Sequence, residues 1–292
     1  MRLERSIPGR LRGLCRGVLL AALAVGLARG AADASEFGTD RDAFTPSTHA
    51  VDPATVLVES SYVYIDNQTG RPTNNFPELL VRIGVSERFE FRFGANYGVG
   101  SQGNVVTAVE AGEGTLDGGS LYEQSMLYGF KLDVSRQHGW LPESCFMMEG
   151  CTPTYGHEFG TVPVATYIAG WELPARFPSS GAAPWRLDGA IRYAYVEGVV
   201  DWFTRWSPSA VLRMPVDERF EVHLEYFASF TQGQIDDFSQ PFFSPGCHYA
   251  LTEHVEIGYR IGWGLTREAA DFFSDAGLAV RSGAIEGRVA GG

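Results

Sequence analysis

Between Val255 and Gly264 the chain reads VEIGYRIGWG. Every odd position is apolar or aromatic (Val255, Ile257, Tyr259, Ile261, Trp263), and every even one is charged or glycine (Glu256, Gly258, Arg260, Gly262, Gly264). Successive side chains of a β-strand point to opposite faces, so a period of two marks a strand with one apolar face and one slim polar face. The alternation recurs at Phe89, Phe91, Phe93, Ala95 and Tyr97 against Glu90, Arg92, Gly94 and Asn96. Two architectures accept such strands. A soluble double-sheet domain buries the apolar face, whereas a transmembrane barrel turns it to lipid and the polar face to a wet lumen.

The chain start indicates export. Arg2, Arg5, Arg10, Arg12 and Arg16 precede an uncharged run, Gly17 to Ala28, and a small-x-small site follows at Ala32-Asp33-Ala34. Residues 1–34 therefore read as a secretory signal peptide. The run falls short of the roughly 20 apolar residues of a membrane-spanning helix. Cys15 precedes it and is no lipidation site. Without residues 1–34, 292 − 34 = 258 residues remain, with 23 − 6 = 17 basic and 35 − 2 = 33 acidic side chains, a formal charge of −16. That excess of acid argues against a nucleic-acid partner, since phosphate binding needs clustered Lys and Arg. The aromatic content and the absence of helical periodicity point to a single all-β domain.

Cys145, Cys151 and Cys247 remain after export, an odd number. On one extended strand Cys145 and Cys151 would lie about 20 Å apart, too far to bridge. In a loop they could pair. No Cys-x-x-Cys or His-x-x-x-His spacing indicates a metal, and nothing indicates a cofactor.

Twelve strands are expected: residues 55–65, 77–85, 89–97, 121–133, 141–151, 162–173, 185–196, 202–214, 220–229, 241–251, 255–264 and 271–281. The fifth alternates least. Gly, Asn and Pro mark the intervening loops, as in Asp66 to Phe76 and Gly98 to Gly119. Three turns echo one another: Ser86-Glu87-Arg88-Phe89-Glu90, Asp217-Glu218-Arg219-Phe220-Glu221 and Thr252-Glu253-His254-Val255-Glu256. Short turns at one end, longer loops at the other and an even strand count are the layout of an antiparallel up-and-down outer-membrane β-barrel, closed so that no strand edge is left open. The expected organisation is a periplasmic lead-in over 35–54, a barrel over 55–281 and a flexible tail over 282–292. Its partners would be outer-membrane lipid, the barrel-assembly machinery and a small-molecule solute, and it would act as a monomer.

With apolar positions facing lipid, the lumen would be lined by Arg82, Glu90, Arg92, Glu123, Lys131, Asp188, Arg192, Arg205, Arg213, Glu221, His223, Glu225, Glu256 and Arg260, with Glu172 on the same side. Two readings follow. The charges could zip the lumen shut by pairing, or they could line a narrow polar channel that selects solute. Twelve strands lie between side-chain-filled eight-stranded barrels and open sixteen-stranded porins, so strand number does not choose.

The repeated turn phrase, Thr152-Pro153-Thr154-Tyr155-Gly156, and the ending Gly262-Trp263-Gly264-Leu265-Thr266, Asp271-Phe272-Phe273 and Gly277-Leu278-Ala279-Val280-Arg281 resemble the outer-membrane barrel family named after the meta-pathway of phenol degradation. The resemblance covers residues 40–281 and implies a transporter with no catalytic residues to carry over. The chain departs from it by running past Arg281 into a Gly-ended tail.

An outer-membrane lipid-modifying enzyme would need a His base beside a Ser nucleophile. Of His49, His138, His157, His223, His248 and His254, only His49 has a Ser two residues away, Ser47. Glu221 and Glu225 would lie about 13 Å apart along a strand, too far for a carboxylate dyad. The expected function is passive uptake of small, aromatic or apolar, compounds. The alternative is a structural or surface barrel with a plugged lumen.

Overall fold

The computed structural model describes residues 37–41, 43–68, 70–100, 105–107, 115–117, 120–154, 160–173, 183–197, 202–234 and 237–282, with backbone alone at 115–117 and 120–123. The signal-peptide reading of residues 1–34 and the tail beyond Ser282 lie outside them, as does the side chain of Glu123.

Thirteen strands form: β1 (Val56–Asp66), β2 (Thr73–Ser86), β3 (Phe89–Gly100), β4 (Thr115–Asp117), β5 (Ser120–Ser135), β6 (Glu143–Pro153), β7 (Val162–Glu172), β8 (Arg186–Glu197), β9 (Trp202–Pro215), β10 (Phe220–Gln232), β11 (Ser239–Thr252), β12 (Val255–Gly264) and β13 (Phe272–Arg281). Each long strand pairs antiparallel with its sequence neighbour. The β1–β13 pairing and the β3–β5 pairing complete the circle, so twelve strands close an antiparallel β-barrel. β4 is a short flap that pairs only with the start of β5. Closure gives each of the twelve long strands two ladders.

The three echoed turns have one physical cause. Oγ of Ser86 accepts from the Arg88 amide (3.4 Å), Oδ1 of Asp217 from the Arg219 amide (2.8 Å) and Oγ1 of Thr252 from the His254 amide (3.1 Å). A short side-chain oxygen that closes on the amide two residues ahead makes an Asx or ST turn, which is why Ser, Asp and Thr occupy that place. These turns lie at the end where β1 begins and β13 finishes. The expected contrast between short and long connections is less clean, because residues 136–142 and 173–185 also join strands at that end.

The outer surface is apolar along the strands. Phe91, Phe93, Tyr97, Tyr128, Tyr193, Tyr259 and Trp263 are exposed, while their neighbours one residue away point inward. Exposed apolar side chains all round a closed barrel fit a lipid solvent. β6, the strand with the weakest alternation, takes its place between β5 and β7, and Cys145 and Cys151 are both buried on it. Their strand placement removes the loop geometry that a bridge between them would need.

The lead-in expectation is corrected. Residues 37–51 have no helix or strand among those described, but they do not trail into the periplasm. Phe37, Thr39, Asp40, Arg41, Ala43, Phe44, Thr45, Ser47, Thr48 and Val51 are all buried within the barrel. The segment then leaves past the rim at Gly84, where the Ala54 amide donates to Gly84 O (3.0 Å) and the Gly84 amide to Thr55 O (2.9 Å). A Cβ at Gly84 would meet Asp52 O at 2.0 Å, so only glycine lets the chain cross there.

Candidate functional site: the barrel lumen

Strand alternation places one set of wall side chains inside. Arg82, Glu90, Arg92, Lys131, Asp188, Arg192, Arg205, Arg213, His223, Glu225, Glu256 and Arg260 are all buried, and Glu221 is partly so. Glu172 is exposed at the end of β7, where the wall meets the mouth. Charges in such a place persist only if paired and hydrogen-bonded.

The threaded segment supplies much of the pairing. Asp40 is the hub. Its carboxylate lies 2.5 Å from Arg92 Nη1, 2.7 Å from Lys131 Nζ and 3.5 Å from Arg82 Nη1. It also accepts from the Ser47 amide and hydroxyl, both at 2.8 Å, which folds the segment back on itself. Arg82 and Arg92 both reach Glu90 at 2.8 Å, and Arg92 also reaches Glu149 at 2.7 Å. Arg41 pairs with Glu78. Wall carboxylates accept the segment's amides: Glu59 those of Asp40 (2.8 Å) and Arg41 (2.9 Å), Glu90 that of Val51 (2.7 Å), and Glu225 those of Phe44 (2.9 Å) and Thr45 (2.6 Å). Wall cations take its carbonyls: Arg82 those of Gly38 and His49, Lys131 that of Ser47, and Arg213 that of Thr45. These bonds satisfy the polar groups of a backbone that has no ladder of its own.

A second insert comes from the long connection between β3 and β5. Val105, Val106 and Thr107 are buried, with Arg260 donating to Val106 O (2.8 Å) and Thr107 Oγ1 to Glu78 (2.6 Å). Arg192 donates to Thr107 O at 3.4 Å. Arg260 is held in turn by Asp275 (3.1 Å) and Glu225 (3.4 Å). Towards the mouth, Asp188 joins Arg186 and Arg213. His223 and His248 face each other at 3.0 Å, with His248 on Glu256 at 3.3 Å. Arg205 lies over the Phe203 ring.

Space is distributed unevenly. A vestibule of about 870 Å³ opens at the end where β1 begins and β13 finishes, lined by His49, Arg82, Asp133, Glu143 and Arg281 among others. Beside it is a pocket of about 290 Å³ between Thr39, Arg186, Asp188, Glu221 and His248. Deeper, the gap between Phe44, Glu149 and Arg192 narrows to about 10 Å³, room for about one water molecule. Among the described residues no three His, Cys, Asp or Glu side chains gather as a metal site.

The charged positions missing from sequence reasoning fall into two kinds. Glu59, Glu78, Glu149 and Asp275 sit on strands where both faces carry apolar residues or where alternation is poor, and strand phase was their only signal. Asp40 and Arg41 sit in a segment with no period at all, so nothing local marked them as interior.

No protein-family model matches the chain, and no curated protein matches it. Solved structures do. The crystal structure of an outer-membrane channel from Pseudomonas putida F1 superposes with a TM-score of 0.57 at 10% identity, covering 80% of this chain and 98% of that one. The translocator domain of the autotransporter NalP from Neisseria meningitidis gives 0.49 at 10% identity over 93% and 96% of the two chains, and the NanC porin 0.48 at 8% over 77% and 98%. At these identities the likeness is one of fold, and the fold it shares with the first of them is that of an outer-membrane β-barrel.

Proposed function

We propose that the protein is an outer-membrane channel, inserted as a monomer by the barrel-assembly machinery, which passes small solutes when residues 37–51 and 105–107 leave the lumen. The apolar girdle supports the location, and the start of β1 and the end of β13 then lie on the periplasmic side with the tight turns. One observation carries the reading. The segment that fills the lumen is bound to the wall by ion pairs and side-chain hydrogen bonds, without a strand ladder among the described residues 37–51. It can therefore leave with the barrel intact.

The narrowness of the gap beside Phe44 favours the alternative, a permanently plugged structural barrel. Planar-bilayer conductance of the exported chain and of a variant lacking residues 37–51 separates the two, with heat-modifiable gel mobility as the folding control. The channel reading expects rare or small steps from the full chain and larger, sustained steps from the deletion. A heat-modifiable deletion variant that does not conduct would establish the structural barrel instead. Protein soluble without detergent and lacking a heat-modifiable form would overturn the membrane assignment.

A further inference from the structure

The lumen wall changes character along its length. Its charges crowd the middle and the end where β1 begins and β13 finishes. At the opposite end Val63 and Ile65 of β1, Phe227 of β10, Phe242 of β11 and Phe273 of β13 point inward and are buried together. Phe44 of the threaded segment lays its ring on Phe227, centroids 4.6 Å apart and planes 5° from parallel. Phe227 and Phe242 stack at 5.0 Å and 18°. Phe273 closes the slot edge-on to both, at 5.9 and 5.8 Å. Val105 and Val106 belong to the same cluster. Two residues before Phe227 on the same face, Glu225 accepts the amides of Phe44 and Thr45 with its two oxygens.

We infer that this aromatic slot is the solute-binding site of the channel, that Phe44 is its built-in occupant, and that the solute is a small, neutral, planar aromatic compound carrying a hydrogen-bond donor. The inference rests on the channel reading above. The slot takes a ring face on, a geometry that adds attraction beyond area burial and that an aliphatic occupant would not exploit. Glu225 sets the second requirement. A buried carboxylate stripped of both amides is costly, so whatever replaces Phe44 must bring an N–H or O–H of its own. Neutrality follows from the surroundings. Arg260 already stands 3.4 Å from Glu225 and 3.1 Å from Asp275, so a cation would meet Arg260 and an anion would meet the two carboxylates. A solute arriving from the loop end displaces residues 105–107, then the Phe44 ring. Losing Phe44 removes one anchor of segment 37–51, so binding and opening are coupled through competition for one slot.

Cys145 reports the displacement. Its buried thiol lies beneath the segment, Sγ 3.8 Å from Ser47 O. The full exported chain carrying Cys151→Ala and Cys247→Ser is labelled with a maleimide in detergent while phenylacetamide, an aromatic ring with amide donors, is titrated. Cyclohexylacetamide serves as the equal-sized control without a ring face, and the variant lacking residues 37–51 sets the fully uncovered rate. At ten times its dissociation constant for the open state, phenylacetamide should raise the labelling rate roughly tenfold. Cyclohexylacetamide should change it less than about twofold. Phe44→Ala should label faster without ligand and lose the acceleration, because nothing remains to compete. A flat phenylacetamide titration, or equal acceleration by both amides, overturns the inference. Conductance of the deletion variant keeps the two readings apart. If it conducts while the titration is flat, only the aromatic slot falls; if it does not conduct, the channel reading falls whatever the titration shows.

Discussion

Removing one charge, with Asp40→Asn, should undock the threaded segment while leaving the barrel standing. Asp40 is the nearest carboxylate to Lys131 at 2.7 Å, with Glu90 next at 4.0 Å, and it also serves Arg92 at 2.5 Å and Arg82 at 3.5 Å. All five side chains are essentially inaccessible to solvent. Breaking a buried ion pair by removing one partner costs about 3–5 kcal/mol, because the other charge stays desolvated. Glu90 still reaches Arg82 and Arg92, so the lower end applies, about 3 kcal/mol. At about 1.4 kcal/mol per factor of ten, the docking equilibrium should shift roughly a hundredfold. The barrel's ladders do not involve Asp40, so its heat-modifiable mobility should be unchanged. Cys145 labelling in the Cys151→Ala, Cys247→Ser background measures the shift, since the thiol reacts only when residue 47 has moved away. A hundredfold faster rate is expected for Asp40→Asn. Glu87→Gln, which removes the exposed Arg136–Glu87 pair at 3.5 Å, should leave the rate within about threefold, as surface pairs contribute little. A rate for Asp40→Asn within threefold of the parent would refute the placement of the segment's anchoring energy in this hub.

Three further outcomes are expected. Gly84→Val puts a side chain where Asp52 O and Val51 O pass, at 2.0 and 2.3 Å from a Cβ, so Cys145 should label nearly as fast as in the deletion variant while the barrel still folds. Arg260→Lys keeps the charge but loses the fork that spans Asp275, Glu225 and Val106 O, so hydrogen exchange at the Thr107 amide should quicken about tenfold or more; an unchanged rate would show that residues 105–107 are held by packing alone. Phe93→Arg, midway along β3 on the exposed face, should destabilise the barrel by about 2–4 kcal/mol in urea unfolding from lipid vesicles, whereas a neutral result would mean that this face does not meet hydrocarbon.

Strand alternation, together with the turn and loop layout and the even strand count, pointed to the barrel. Phe89 to Tyr97 and Val255 to Trp263 carry their phase locally, and a period of two admits only one assignment of faces once the outside is apolar. The Ser, Asp and Thr turns were readable for the same reason, because each oxygen bonds an amide two residues away. Wall charges that alternate with apolar neighbours, such as Glu90, Arg92, Glu256 and Arg260, are placed by phase alone, whereas Glu59, Glu78, Glu149 and Asp275 are not. What the sequence could not settle was what those charges meet. Residues 37–51 have no period and a polar composition, which in isolation describes an extended tail. They are interior only because a closed ring of twelve strands brings Glu59, Glu78, Arg82, Glu90, Arg92, Lys131 and Glu225 around one axis, with each charge offering a partner that water would otherwise supply. Burial there depends on complementarity between polar groups as much as 181 residues apart, as with the Phe44 amide and the Glu225 carboxylate. The aromatic slot arises in the same way: Phe227, Phe242 and Phe273 belong to three strands, and Phe44 reaches them only because the barrel has closed around the segment that carries it.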